Sequence, residues 1–325
     1  MKRRAFVVCL VAAMPLLSLA QETRLRRVGF LYFGTERSAR ELRRYQGFIE
    51  GMRESGYVLG KDFMLEARYG DGDPKWLAAM AAELVKMNVE VIVTGGTAAN
   101  YAAQAVTKTI PIVITNSPDP VGEGFAASLA RPGGNVTGFS TNTAEIDAKH
   151  VELLKACLPH LALLAVLQNP ANRAHRSRMK SVEAAAQRHG AKTLSLTADT
   201  VEAIDAAFAA LRQARADAVV VLGDTFYAQQ AQQIARLALE LKLPSIYVSP
   251  ENAQAGGLMT YGQNITDNFR RAAKYVDRIL KGAKPGELPI EQPTKFELVI
   301  NLQTAKAIGV SIPSSVLLRA DRVIQ

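Results

Sequence analysis

The sequence predicts an α/β protein made of two Rossmann-like lobes, each around a parallel sheet. Three observations carry this. Short runs rich in Val, Ile and Leu alternate with Ala-rich amphipathic segments along the chain, which is the pattern of βαβ units. The alternation amounts to about ten strands and about nine helices, more than one domain of about 150 residues accommodates. The pattern also restarts near Thr141, so that each half holds about five strands.

The first half opens with a strand at Arg27–Phe33 and a helix at Ser38–Ser55, where Ser38 and Glu41 fit a capping box and Gly56 a stop. A strand at Phe63–Arg68 precedes a helix with Asp73 as N-cap and Pro74 as first helical residue. A strand at Val89–Val93 leads into a helix at Thr97–Thr107. A strand at Ile110–Ile114, a short helix near Gly122–Leu129 and a strand at Val136–Phe139 complete this half.

The second half begins with a helix through Ile146–Cys157. Strands follow at Leu163–Leu167, Lys192–Leu196, Ala218–Leu222, Ser245–Val248 and Leu258–Tyr261. Helices lie between them at Arg173–His189, from Val201 with Thr200 as cap, and at Ala228–Leu241. A helix at Asn268–Leu280 and a strand at Phe296–Asn301 come after, and the tail reads as a helix, a turn at Pro313 and a short strand.

The N-terminus reads as an export signal. Lys2, Arg3 and Arg4 precede the apolar run Ala5–Leu19, and Ser18-Leu19-Ala20 supplies small residues for cleavage before Gln21. The run is shorter than the ~20 residues a spanning helix needs. Cys9 lies inside it with Val8 before it, which does not suit lipid attachment. Losing the three basic residues lowers the formal net charge from +9 to +6. The remaining charge is interspersed, as in Arg40-Glu41-Leu42-Arg43-Arg44, and no basic run alternates with aromatics, so nucleic acid is not an expected partner. Cys157 then stands alone in an apolar pattern and is expected to be a buried small hydrophobe.

The polar residues that attract attention follow predicted strands, where open α/β sheets bind ligands. Thr94-Gly95-Gly96-Thr97 joins a buried strand to a helix; backbone N–H groups and two hydroxyls there suit an anion, although an ordinary tight turn has the same residues. Ser117 and Asp119 follow the next strand, Asp119 suiting an ammonium or, alternatively, a cap. Gly34 and Thr35 follow the first strand, Asn169 the first strand of the second half, and Asp224 with Phe226 the third. Together these residues place polar groups on facing edges of two lobes. Chemistry is not signalled. The four histidines, His150, His160, His175 and His189, lack zinc-ligand spacing and are expected at helix surfaces. There is no nucleophile elbow, P-loop or dinucleotide fingerprint. No cofactor, metal or catalytic residue is expected. Trp76, the single tryptophan, opens a helix next to a strand end and is expected to pack in the core or, alternatively, to line a cleft.

Several segments carry a family resemblance: Pro111-Ile112-Val113-Ile114, Asp119-Pro120-Val121-Gly122, Leu129-Ala130-Arg131-Pro132-Gly133-Gly134-Asn135-Val136-Thr137-Gly138, and Pro293 through Asn301. They resemble the ABC transporter substrate-binding family that includes tryptophan-binding lipoproteins. The resemblance implies a type I periplasmic-binding fold whose chain crosses between lobes three times, near Thr141, Asn264 and Ile290. With the signal peptide read at 1–20, it implies one lobe from 21–141 plus 265–290, and another from 142–264 plus 291–325. The expected function is periplasmic capture of a small solute, an amino acid (aromatic ones included) or a similar small carboxylate, by a monomer that delivers it to an ABC permease. A ligand-sensing subunit for a membrane receptor and a periplasmic enzyme on the same scaffold are the alternatives.

Overall fold

The computed structural model describes residues 25–141 and 143–325; the expected signal peptide lies outside them. In chain order the first lobe contains β1 (Arg26–Tyr32), α1 (Glu36–Glu41), α2 (Arg44–Glu54), β2 (Phe63–Tyr69), α3 (Pro74–Lys86), β3 (Val91–Gly95), α4 (Thr97–Val106), β4 (Ile112–Ile114) and β5 (Val136–Gly138). Its five strands form a parallel sheet in the order β2-β1-β3-β4-β5.

The second lobe contains α5 (Thr143–Cys157), β6 (Leu163–Gln168), α6 (His175–Arg188), β7 (Lys192–Thr197), α7 (Val201–Ala214), β8 (Ala218–Val221), α8 (Thr225–Gln229), α9 (Ala231–Glu240), β9 (Ser245–Tyr247), α10 (Pro250–Gln254) and β10 (Met259–Gly262). The chain then returns to the first lobe as α11 (Ile265–Leu280), which packs on α2. It ends in the second lobe with β11 (Glu297–Asn301), α12 (Leu302–Ile308), α13 (Ser314–Leu317) and β12 (Arg322–Ile324). The second sheet has the order β12-β11-β10-β9-β8-β6-β7, with β11 antiparallel to β10 and the other neighbours parallel.

Both sheets are covered on both faces, which explains why inner strands such as β3, β4 and β8 read as continuous apolar runs, while the edge strands β2 and β7 carry polar residues. Successive side chains of a strand point to opposite faces. In β1, Phe30 joins the cluster of Phe48, Phe63, Phe269 and Val276, while Leu31 joins that of Leu77, Leu84 and Ile92. In β6, Leu164 and Val166 meet Leu154 and Ile300, while Ala165 and Leu167 meet Phe208 and Tyr247. Cys157 is a free, buried thiol, and burial raises its pKa to about 11. Among the described residues no helix is long and apolar enough to cross a membrane.

Several expectations need correction. The helix over Ser38–Ser55 is two helices, because Arg43 adopts a left-handed conformation with φ 55°. Thr35, not Ser38, caps the first: its hydroxyl accepts from the Ser38 N–H at 3.0 Å, while Glu41 pairs with Arg37. Asp73 does cap α3, accepting from the Lys75 N–H at 2.7 Å. Residues 122–129 form turns rather than a helix, tied by bonds such as Phe125 N–H to Pro120 O. The helix expected over Ala228–Leu241 starts earlier and breaks at Gln230. Trp76 is not in the core: it stands on the outer side of the first turn of α3 and is 60% exposed. His150 and His175 are fully buried rather than on helix surfaces.

Candidate functional site between the lobes

The C-terminal ends of β1, β3 and β4 face those of β6, β8 and β9 across a cleft of about 780 Å³, counting space open to solvent. The first lobe supplies Tyr32, Arg44, Gly95, Gly96, Thr97, Asn116 and Phe269, and the second Ile146, Asn172, Arg178, Asp224, Thr225 and Ser249. Thr141 and Gln263, where the chain passes between lobes, also line it.

Local sequence explains these positions. The left-handed Arg43 ends one helix and starts the next, setting Arg44 at the first position of α2 beside the cleft. Arg44 is 3% exposed; it donates to the Thr266 hydroxyl and forms a 3.0 Å ion pair with Glu251 of the opposite lobe. Gly96 has φ 100°, which favours glycine. A Cβ there would stand 2.8 Å from the Thr225 hydroxyl of the other lobe. Arg173 of the second lobe lies over the Tyr101 ring of the first at 5.1 Å. These contacts join the lobes across the cleft.

The charges are unevenly paired. Arg178 binds Asp147 through two bonds, of 2.6 and 3.3 Å, and both side chains are buried. Burial pushes the Asp147 carboxyl upward, and the adjacent guanidinium opposes that shift. Arg44 has Glu251. Among the described residues Asp224 has no guanidinium partner: it accepts from Asn169 Nδ2 at 3.2 Å, Asn172 Nδ2 at 2.7 Å and the Phe226 N–H at 2.8 Å. Among the described residues its single ionisable partner within 4.0 Å is His175. His175 Nδ1 accepts from the Asn169 N–H at 2.8 Å, and Nε2 lies 3.2 Å from Gly223 O. Burial lowers the His175 pKa to about 4, so the imidazole is neutral near pH 7. Asp224, with its side chain 5% exposed, is therefore a buried carboxylate held by neutral donors alone.

The residues singled out from sequence fall into distinct places. Gly95, Gly96, Thr97 and Asp224 line the cleft together. Asn169 sits behind Asp224 as its donor. Thr94 is buried, and its hydroxyl donates to Asn100 Oδ1 at 2.6 Å. The Gly96 N–H is occupied by Asn116 Oδ1 at 3.1 Å. Ser117 is buried and donates to Glu123. Asp119 is exposed and closes a turn by accepting from the Gly122 N–H at 2.9 Å. Thr35 caps α1, Gly34 lies against Gln229 of the other lobe, and Phe226 packs beside Tyr227. None of Thr94, Ser117, Asp119, Gly34, Thr35 and Phe226 is among the cleft-lining residues.

Sequence reading missed Arg44, Arg178 and Phe269. Each lies inside a helix, where a charge or aromatic looks like one more element of amphipathic patterning. The signal for Arg178 and Asp147 was weak but present: each occupies the buried side of its helix. Among the described residues no group of three or more His, Cys, Asp or Glu side chains is arranged to hold a metal ion.

Comparison with known proteins agrees with this architecture. Residues 36–324 match the family model described as ABC transporter substrate binding protein. The tyrosine-binding protein of Clostridioides difficile (strain R20291) is 26% identical over 263 residues, covering 81% of this chain and 75% of that protein. A conserved domain protein from Vibrio cholerae O1 biovar El Tor superposes with a TM-score of 0.85 at 29% identity, covering 92% of this chain and 100% of that one. The ABC domain from Streptococcus pneumoniae in complex with L-Trp gives a TM-score of 0.84 at 26% identity, with the same coverages. The two-lobed α/β architecture is that of type I periplasmic-binding proteins. This chain belongs to the ABC transporter substrate-binding protein family.

Proposed function

We propose that the protein is the extracytoplasmic solute-binding component of an ABC importer and that its cleft takes an α-amino acid with an apolar or aromatic side chain. The observation that carries the ligand class is Asp224. A buried carboxylate without a cationic partner is costly, and a ligand ammonium offsets that cost. Tyr32, Phe269, Ile146 and Ile265 give the same cleft an apolar wall. Arg44 and Arg178, each already neutralised by an acid, offer guanidinium N–H groups to the ligand carboxylate. The relatives described as tyrosine-binding and as a complex with L-Trp are consistent with this class.

The mechanism is lobe closure. The chain passes between lobes near Thr141, between Gly262 and Ile265, and after Glu291, whose N–H still bonds to Gly138 O in the first lobe. Rotation about these segments opens the cleft, and closure buries the solute and presents a joined surface to a membrane permease. The working unit is a monomer in the periplasm. Binding rather than catalysis is supported by His175, whose two ring nitrogens are held by backbone groups and therefore do not form a nucleophile–base pair.

A thermal-shift screen of amino acids, small carboxylates, purines and sugars tests the reading, because a ligand that binds the folded state raises its melting temperature. Tyrosine, phenylalanine or tryptophan is expected to stabilise the protein. Stabilisation by a sugar alone overturns the assignment.

A further inference from the structure

A second cavity adjoins the cleft and encloses about 970 Å³, counting space open to solvent. Thr97, Asn172, Asp224 and Thr225 line both cavities, so they share a wall. None of the crossing residues Thr141, Gln263 and Ile265 lines the second one, which places it on the side of the cleft away from the hinge. Its first-lobe wall is apolar: Phe33, Leu77, Ala98, Tyr101 and Ala102. The second lobe contributes Arg173, whose guanidinium lies over the Tyr101 ring. Among the described residues no carboxylate lies within ion-pairing distance of Arg173, whereas Arg44 and Arg178 in the inner chamber both have one.

We propose that this outer chamber is a second ligand subsite and that the cleft takes a dipeptide with an apolar C-terminal residue. The inference rests on the assignment of Asp224 to a ligand ammonium. With the ammonium on Asp224 at the shared wall, the N-terminal side chain occupies the inner chamber. The peptide bond leads outward, the second side chain meets Phe33, Leu77 and Tyr101, and the terminal carboxylate reaches Arg173. The charges then match at both ends: the acid without a cation receives the ammonium, and the guanidinium without an acid receives the carboxylate. An apolar residue suits the outer wall because it removes apolar surface from water on both partners.

Isothermal titration of the full chain with tyrosine, the dipeptide Tyr-Phe and the dipeptide Tyr-Ala tests this. Tyr-Phe is expected to bind about tenfold more tightly than Tyr-Ala. Arg173→Gln is expected to weaken both dipeptides, and Ala102→Phe, which fills the outer chamber, to remove the preference for Tyr-Phe. Both variants should keep tyrosine affinity within about twofold, which also shows that they fold. Tyrosine binding with neither dipeptide bound overturns this inference alone. Equal affinity for the two dipeptides, or dipeptide affinity untouched by both substitutions, overturns it as well. If neither tyrosine nor any dipeptide binds, the assignment of Asp224 to an ammonium falls with it.

Discussion

Arg44 of α2 and Glu251 of α10 form a 3.0 Å ion pair that ties the first lobe to the second beside the cleft. The Arg44 side chain is 4% exposed and that of Glu251 26%. A pair this far from water is weak evidence of net stability, but removing one partner strands the other charge, which costs about 3–5 kcal/mol when nothing relaxes. Under the proposed closure mechanism that cost is relieved by opening, which separates Arg44 from the second lobe. Glu251→Gln is therefore expected to favour the open form. Small-angle scattering should show a larger radius of gyration without ligand, and amino-acid affinity should fall about tenfold, or about 1.4 kcal/mol. An unchanged radius and affinity would remove the pair from the closing mechanism.

Asp224→Asn tests charge separately from shape. Asparagine is as good an N-cap as aspartate, so α8 keeps its cap at Phe226. The amide loses the negative charge and one of the acceptors that Asn169 and Asn172 use. A ligand ammonium then loses its partner, at a cost of about 2–4 kcal/mol in binding. Titration calorimetry with tyrosine and phenylalanine reads this directly. Wild-type affinity in the variant would sink the ammonium assignment.

The fold was legible because the inner strands, such as β3, β6 and β8, are apolar on both faces and the longer helices carry a polar side, so period and length separate them. Thr200 and Asp73 were readable as caps for the same local reason. The break at Arg43 was not, since it carries neither Gly nor Pro and the pattern of apolar positions continues through it. Of the candidate site, the strand ends were legible: Gly95, Gly96, Thr97 and Asp224, singled out by the strand-end rule, all line the cleft. Thr94, Ser117 and Asp119 share that address, yet Thr94 and Ser117 turn inward and Asp119 closes a surface turn. Arg44 and Phe269 were hidden because they reach the cleft from α2 and from α11, a helix that comes back from late in the sequence. Trp76 and the buried histidines were misplaced for a related reason: side-chain type alone does not say which side of a helix packs.

The packing of α11 on α2 depends on two glycines. A Cβ at Gly51 would stand 2.0 Å from the Arg270 carbonyl oxygen, and one at Gly47 would stand 2.9 Å from that of Thr266. Helix propensity favours Gly→Ala by about 1 kcal/mol, but overpacking a tight contact costs about 1–3 kcal/mol or more. At Gly51 the obstacle is backbone, so the second effect wins. Gly51→Ala should lower the melting temperature, while Gly56→Ala is no control, because its φ of 91° adds strain of its own. A melting temperature equal to or above that of the wild type would mean that the helices move apart without loss.

Buried titratable groups pull stability in opposite directions between about pH 4 and pH 7. His150 is fully buried, its Nε2 lies 2.7 Å from Tyr261 O, and among the described residues Nδ1 has no hydrogen-bond partner. A charged imidazole is therefore opposed by burial and by Arg178, which lower its pKa to about 3 against the opposing bond to Tyr261. A histidine pKa depressed in the folded state contributes stability that is present above the unfolded value near 6.5 and lost as pH falls toward 3. His175, lowered to about 4, acts in the same direction. Glu123 acts oppositely. Burial raises its carboxyl pKa to about 7, against the opposing hydrogen bond from Ser117, so its contribution is present below about 4.5 and lost as pH rises through 7. Melting temperatures of the ligand-free protein from pH 4 to pH 8 separate the two. Glu123→Gln should gain stability relative to the wild type as pH rises from about 5 to 7. His150→Gln keeps a donor for the Tyr261 carbonyl and should lose less stability than the wild type as pH falls from 6.5 to 4. Curves parallel to the wild type for both variants would show that neither group titrates with a shifted pKa in the folded state.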